Sequence, residues 1–193
     1  MYPQLTSERM SAKNYSLTRT YYTTYRRNRN YSTGGPISNA LSIIGFLLLA
    51  SAFSMPWVQS SMFLQQKLTL SDMYSIIFSG YQLFPINPHF VVSSITSLLA
   101  LILYPIAVFL AFTGMLGGRR TSLPGWLATT ATFLWYVSIE AFKAEATRTV
   151  TVGNPFTDSI ARALIYQSIG IDYGVTVASI GGILLIIAGW LRG

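Results

Sequence analysis

The chain has no cysteine among its 193 residues. Disulfides, thiol catalysis, iron–sulfur clusters and cysteine-based zinc sites are therefore excluded. Histidine is almost as scarce: His89 is the single one, so neither a bis-histidine haem nor a multi-histidine metal site can be assembled from this chain. Charged residues make up only 10%, against about 25% in a typical soluble domain. Acids are the rarer sign, six against thirteen Lys and Arg. No glycine-rich nucleotide loop, nucleophile beside a base, or paired-histidine zinc motif occurs. No catalytic, cofactor or metal site is expected, and the chain reads as a non-enzyme.

Hydrophobic residues make up 51%, and they are concentrated in long runs. A bilayer core needs about 20 consecutive apolar residues per helix. Four segments meet that length: residues 37–58, 90–116, 126–144 and 173–191. Pro36, Pro88 and Pro124 precede the first three, and proline is tolerated at a helix start because its missing N–H has no partner there anyway. Pro105 lies inside the second span and is expected to kink it. The predicted fold is an all-α membrane protein, a four-transmembrane-helix bundle preceded by an arm at residues 1–36. That arm is polar and has no apolar core, so the first span is expected to direct insertion.

Lys and Arg near the span ends set the orientation. One side holds Arg9, Lys13, Arg19, Arg26, Arg27, Arg29, Arg119, Arg120 and Arg192; the other holds Lys67, Lys143, Arg148 and Arg162. Nine against four places both termini inside, in a cell membrane or a virion envelope. Trp57, Trp126 and Trp190 at span ends agree with interfacial anchoring.

The outer loops, 59–89 and 145–172, exceed simple turns. Each contains a period-two stretch, Gln65 to Leu70 and Thr147 to Val152, that reads as a half-buried strand. Each also contains a short helix candidate, one capped by Ser71 and stopped by Gly80, the other capped by Thr157 or Asp158 and stopped by Gly170. The expected result is a small extracytoplasmic β/α cap.

With Pro56-Trp57 where the first helix leaves the membrane and one alternating stretch in each outer loop, the chain resembles the claudin-like four-helix membrane proteins. The resemblance covers topology over residues 37–193. It implies cytoplasmic ends, an extracellular sheet built from both loops, and a tetraspan scaffold as the role. That family's Gly-Leu-Trp motif and its two loop cysteines do not occur here.

Three features are candidates for function. Glu140, near the outer end of the third span, is a carboxylate at membrane depth and so a possible relay group; Lys143 three residues on offers an ordinary ion pair instead. Gly174, Ala178 and Gly182, with Gly189 beyond, form a small-residue face for close helix packing, within the bundle or against another subunit. The arm carries Arg19, Tyr21, Tyr22, Tyr25, Arg26, Arg27 and Arg29. Its first expected role is to set topology; next come anionic headgroups at the inner face, to which each basic residue adds about 1 kcal/mol, and then a soluble partner. Nucleic acid is not expected, because no folded binding motif accompanies the arginines. The leading expectation is a structural or assembly subunit that contacts other membrane proteins or itself. A small oligomeric transporter using Glu140 with Thr129, Thr130 and Thr132, and an accessory subunit of a redox complex, are the alternatives.

Overall fold

The computed structural model describes residues 35–61, 66–78, 89–117, 121–150 and 153–192. The arginine- and tyrosine-bearing part of the arm, Gly80 and the Arg119-Arg120 pair lie outside them. The described chain is mostly helical, with one small sheet. In order it runs α1 (Pro36–Ala52), β1 (Pro56–Ser60), β2 (Gln66–Thr69), α2 (Leu70–Phe78), α3 (Val91–Gly117), α4 (Ser122–Val150), α5 (Pro155–Ser168), β3 (Ile169–Ile171) and α6 (Tyr173–Leu191).

Four long helices form a ring in the order α1, α6, α4, α3, with α3 returning to touch α1. Neighbours are antiparallel. The Ser38 hydroxyl donates to Ala188 O while Gly45 faces Gly181. Ser122 sits at Gly189 and Gly125 at Gly182. Ser93 of α3 meets Ser138 and Glu145 of α4. It follows that α3 and α6 run in one direction and α1 and α4 in the other.

Small or hydroxylated residues line much of the bundle interior beside large ones such as Leu49, Tyr104, Trp135 and Leu185, and many large apolar residues point outward. Ser38, Ser42, Ser93, Ser97, Ala107, Ala111, Ala128, Ala131 and Ala178 are buried, whereas Leu47, Ile102, Phe109, Phe133 and Ile183 are exposed. Two helices, α3 and α6, are long and apolar enough to cross a bilayer. That is fewer than the four expected. The apolar helix α1 has only 17 residues. In α4, Thr129, Thr130, Thr132, Glu140 and Lys143 dilute the apolar run.

Several boundaries differ from the sequence reading, each for a local reason. The first helix ends at Ala52 rather than at residue 58. Pro56 cannot donate a ladder or helix hydrogen bond and disfavours helical geometry at Met55, so the chain turns there and starts β1. Residues 147–150 of the second alternating stretch are helical, because α4 continues through Val150; Thr151 and Val152 lie outside the described residues. Thr147 and Thr149 turn their hydroxyls back to Lys143 O (2.6 Å) and Ala146 O (2.8 Å), so both hydroxyls are satisfied within the helix. Its place in the sheet is taken by Ile169–Ile171.

The sheet is antiparallel in the order β2-β1-β3. Val58 faces both Leu68 and Ile171, and Gln59 faces Lys67 and Gly170. Both long loops therefore contribute strands, as expected, through a different segment of the second loop.

Thr69, not Ser71, caps α2. Its hydroxyl accepts from Asp72 N at 3.1 Å, and Asp72 Oδ2 accepts from Thr69 N at 3.0 Å, a reciprocal capping box. Hydrogen bonds from the Thr69 side chain and then its backbone hold the Asp72 carboxyl below the usual carboxylate range. Asn154 caps α5, accepting from Phe156 N at 3.1 Å with Pro155 in the first helical turn, in place of Thr157 or Asp158. The helix ends at Ser168, where β3 begins.

Candidate functional site

The end of the bundle that carries the sheet is the most elaborated part of the described chain. Helix α1 stops under the sheet, and its last carbonyls need partners in an apolar setting. Phe53 N, Ser54 N and Met55 N turn back to Ala50, Ser51 and Ala52 O. The Tyr104 hydroxyl donates to Leu49 O and Trp57 Nε1 to Ala52 O, each at 2.8 Å. Two aromatic side chains from elsewhere in the fold thus close the helix end.

They belong to a cluster. Trp57 packs edge-on against Tyr104 (4.8 Å between centroids) and Trp135 (5.8 Å). Phe53 stacks on Tyr74 at 5.5 Å. The Tyr74 hydroxyl donates to Leu101 O, and burial pushes its pKa up to about 12, so it stays a donor at any physiological pH. Trp135 Nε1 is buried with no hydrogen-bond partner among the described residues.

Ionised groups ring this cluster. Glu145 of α4 caps α3, accepting from Val92 N (3.0 Å), Ser93 N (3.3 Å) and the Ser93 hydroxyl (2.6 Å). Its negative charge sits at the positive end of the helix dipole. Asp172 caps α6 through Tyr173 N at 2.7 Å, and Lys67 of β2 lies 3.3 Å from its other oxygen. That oxygen has no well-aligned hydrogen bond, so the ion pair is what meets its charge. Asp172 N in turn donates to Trp57 O, tying sheet, cap and α6 together.

Glu140 is paired with Lys143 at 2.7 Å. The Lys143 ammonium also sits over the Tyr166 ring of α5, 5.7 Å from its centroid. Thr129, Thr130 and Thr132 of α4 do not form one polar path. Thr129 and Thr132 donate to carbonyls of their own helix, Gly125 O and Thr129 O, while Thr130 is exposed.

The small-residue face of α6 is occupied within the chain. Gly174 abuts Pro56 and Trp57, Gly182 abuts Gly125 and Thr129, and Gly189 abuts Ser122; Ala178 is fully buried. The tentative contact residues Arg19, Tyr21, Tyr22, Tyr25, Arg26, Arg27 and Arg29 lie outside the described residues.

No family model matches the chain, and no curated protein or solved structure matches it either. The site is therefore read from its own geometry.

Sequence reasoning passed over two groups. Lys67 and Asp172 are 105 positions apart, so their pairing had no local signal. Arg192 was noted only as a topology charge. At the end of the bundle opposite the sheet its Nε donates to the Ser38 hydroxyl (3.0 Å), and its terminal nitrogen to Asn39 Oδ1 (2.9 Å) and the Ser42 hydroxyl (3.0 Å). The buried Thr121 hydroxyl lies 3.5 Å from Ser42 and donates to Leu185 O, so α1, α4 and α6 meet in one polar knot. Arg192→Ala is expected to lower stability by on the order of 1 kcal/mol, less than the about 1.5–3 kcal/mol of a buried charged hydrogen bond because the side chain is half-exposed. Thermal unfolding in detergent measures it; an unchanged midpoint would show the knot to be dispensable.

Proposed function

We propose that the chain is a four-span membrane protein with both ends inside, and that it serves as a non-catalytic structural or assembly subunit of a larger membrane complex. The observation that carries the four spans is direction. The two helices long and apolar enough to cross, α3 and α6, run the same way through the bundle. If both cross the bilayer, the chain must cross back between them, and α4 is the long helix available among the described residues. Helix α1, antiparallel to α6 and exposing Ile37, Ile43, Ile44 and Leu47, completes the set. The exposed apolar faces support the same reading, since small residues at many inner positions and large apolar ones outside suit a bundle in lipid. Nine basic residues on the side of the termini against four on the side of the sheet set the direction.

An assembly role rests on what the outer end lacks and presents. Glu140 is engaged by Lys143, and the Thr129 and Thr132 hydroxyls bond to carbonyls of their own helix, which favours the assembly role over transport. On α5, Phe156, Ile160 and Leu164 form an exposed apolar row at four-residue spacing that runs down to the buried Ser168. Apolar rows of that kind mark contact surfaces. The claudin-like resemblance, with its extracellular sheet from both loops, points to the same class of scaffold.

The absence of cysteine makes the topology test clean. Single cysteines at Lys67 and Asn154 are expected to react with a membrane-impermeant maleimide on intact cells, and one at Ser122 only after permeabilisation. Equal labelling of all three would remove the four-span reading. Gentle solubilisation of the native membrane tests the role: co-purifying subunits or defined self-oligomers are expected, and a lone monomer would overturn it.

A further inference from the structure

We propose that α2 is a strap latched onto α3 at Pro105, and that the proline itself creates the docking point. The latch does not depend on the membrane reading above and adds to it a coupling between a short loop helix and a long one. Pro105 has no N–H, so Leu101 O, four residues back, lacks the donor that any other residue type would give it. The pyrrolidine ring also crowds that carbonyl. Helix α3 nevertheless runs unbroken from Val91 to Gly117, so the freed carbonyl takes its partner from elsewhere in the fold.

Tyr74 of α2 is that partner, its hydroxyl donating to Leu101 O. Leu101 is buried, and an unpaired acceptor there would carry the full cost of its lost hydration. The buried part of a tyrosine has the matching need for its hydroxyl. Each group answers the other.

Three features aim Tyr74 at this point. The reciprocal bonds between Thr69 and Asp72 fix the first turn of α2. Leu70, one turn before Tyr74, and Met73 are buried and set the face on which the ring lies. Phe53 stacks on the Tyr74 ring at 5.5 Å and leans on Tyr104 at 6.0 Å. Tyr104, the residue before Pro105, donates to Leu49 O. The proline position of α3 thus receives α2 through a carbonyl and holds the end of α1 through a hydroxyl.

The dependence runs in both directions. Lifting α2 leaves Leu101 O without its donor, and a residue at position 105 with an N–H removes the acceptor that Tyr74 uses. A ligand or subunit that draws α2 away therefore acts on the middle of α3 through this bond.

Hydrogen exchange of the full-length protein in mild detergent tests the latch, with Tyr74→Phe, Pro105→Ala and the double variant. Tyr74→Phe keeps the ring on Phe53 and removes only the donor. The amides of Ser75, Ile76 and Ile77 are then expected to exchange about fivefold faster, the factor that one typical hydrogen bond represents. In the Pro105→Ala background, where residue 105 supplies its own N–H to Leu101 O, the same substitution is expected to change them by less than about twofold. Pro105→Leu restores the same N–H with a larger side chain and is expected to act as Pro105→Ala does. Equal acceleration with and without the proline would overturn the latch, as would unchanged exchange in Tyr74→Phe. A response lost in Pro105→Ala but kept in Pro105→Leu would trace the effect to side-chain packing and overturn it too.

Discussion

Gly125→Leu is expected to prevent the bundle from forming. A Cβ on residue 125 would lie 2.6 Å from Gly182 O, 2.7 Å from Ile186 N and 2.8 Å from the Ile186 side chain. The first two are backbone atoms of α6, which cannot swing aside as a side-chain tip can. From the other side, a Cβ on Gly182 would meet the Thr129 hydroxyl at 2.7 Å. The helices touch through backbone at this point, and any larger residue must push α4 off α6. For a bundle in lipid, as proposed above, that separation has no hydrophobic penalty to resist it, because the lost contact is replaced by equally apolar chains. The cost is about 3 kcal/mol or more, the upper end for overpacking a core, and the expected readout is loss of a cooperative thermal transition in mild detergent. Gly114→Ala is the matched control. Its nearest neighbour would be Thr121 Cγ2 at an ordinary 3.7 Å, so it is expected to be neutral or to gain up to about 1 kcal/mol from helix propensity. Equal behaviour of the two variants would show that the α4–α6 contact does not hold the bundle.

That contact was partly legible beforehand. The four-residue spacing of Gly174, Ala178 and Gly182 announces a close-packed face, yet spacing alone cannot say whether the neighbour is the same chain. The answer depends on Gly45 and Gly125, which lie far away in sequence and complement Gly181 and Gly182. The same limit appears at α1. A run of apolar residues from Ile37 to Val58 reads as one helix by composition, but Pro56 and the carbonyl-capping Trp57 divide it into helix and strand. Thr147 to Val150 shows the opposite error. Alternation suggests a strand, yet residues 147–150 continue α4 with the threonine hydroxyls bonded back to its carbonyls. Short-range pattern thus identified α3 and α6 as long apolar helices, because their apolar runs are too long for strands. It erred at element ends, where one side chain's hydrogen bond decides the outcome. The aromatic cluster under the sheet had no sequence signal at all, since Trp57, Tyr104 and Trp135 belong to three separate elements.

Trp57→Ala is expected to detach the outer sheet from the bundle and to cost about 3–5 kcal/mol, the range for truncating a buried tryptophan. The residue is 1% exposed and acts in three ways. Its ring fills the space between Tyr104 and Trp135 and lies against Gly174, where a Cβ would come within 2.6 Å of it. Its Nε1 holds Ala52 O at the end of α1. Its backbone O receives Asp172 N, the residue that caps α6 and pairs with Lys67. Trp57→Phe separates these roles. It keeps an aromatic ring and the backbone bond but loses the indole donor, and Ala52 O still has Met55 N at 3.3 Å. The expected cost is therefore nearer 1 kcal/mol for the hydrogen bond plus a partial loss of packing. Hydrogen exchange provides the discriminating readout. In the alanine variant the amides of Gly170, Ile171 and Asp172 are expected to lose protection while those in the middle of α3 keep it. In the phenylalanine variant the strand amides are expected to stay protected. Uniform loss across α3 and the strands in Trp57→Ala would mean that the cap and the bundle unfold as one unit, and that the tryptophan is a keystone of the whole fold rather than the hinge between its two parts.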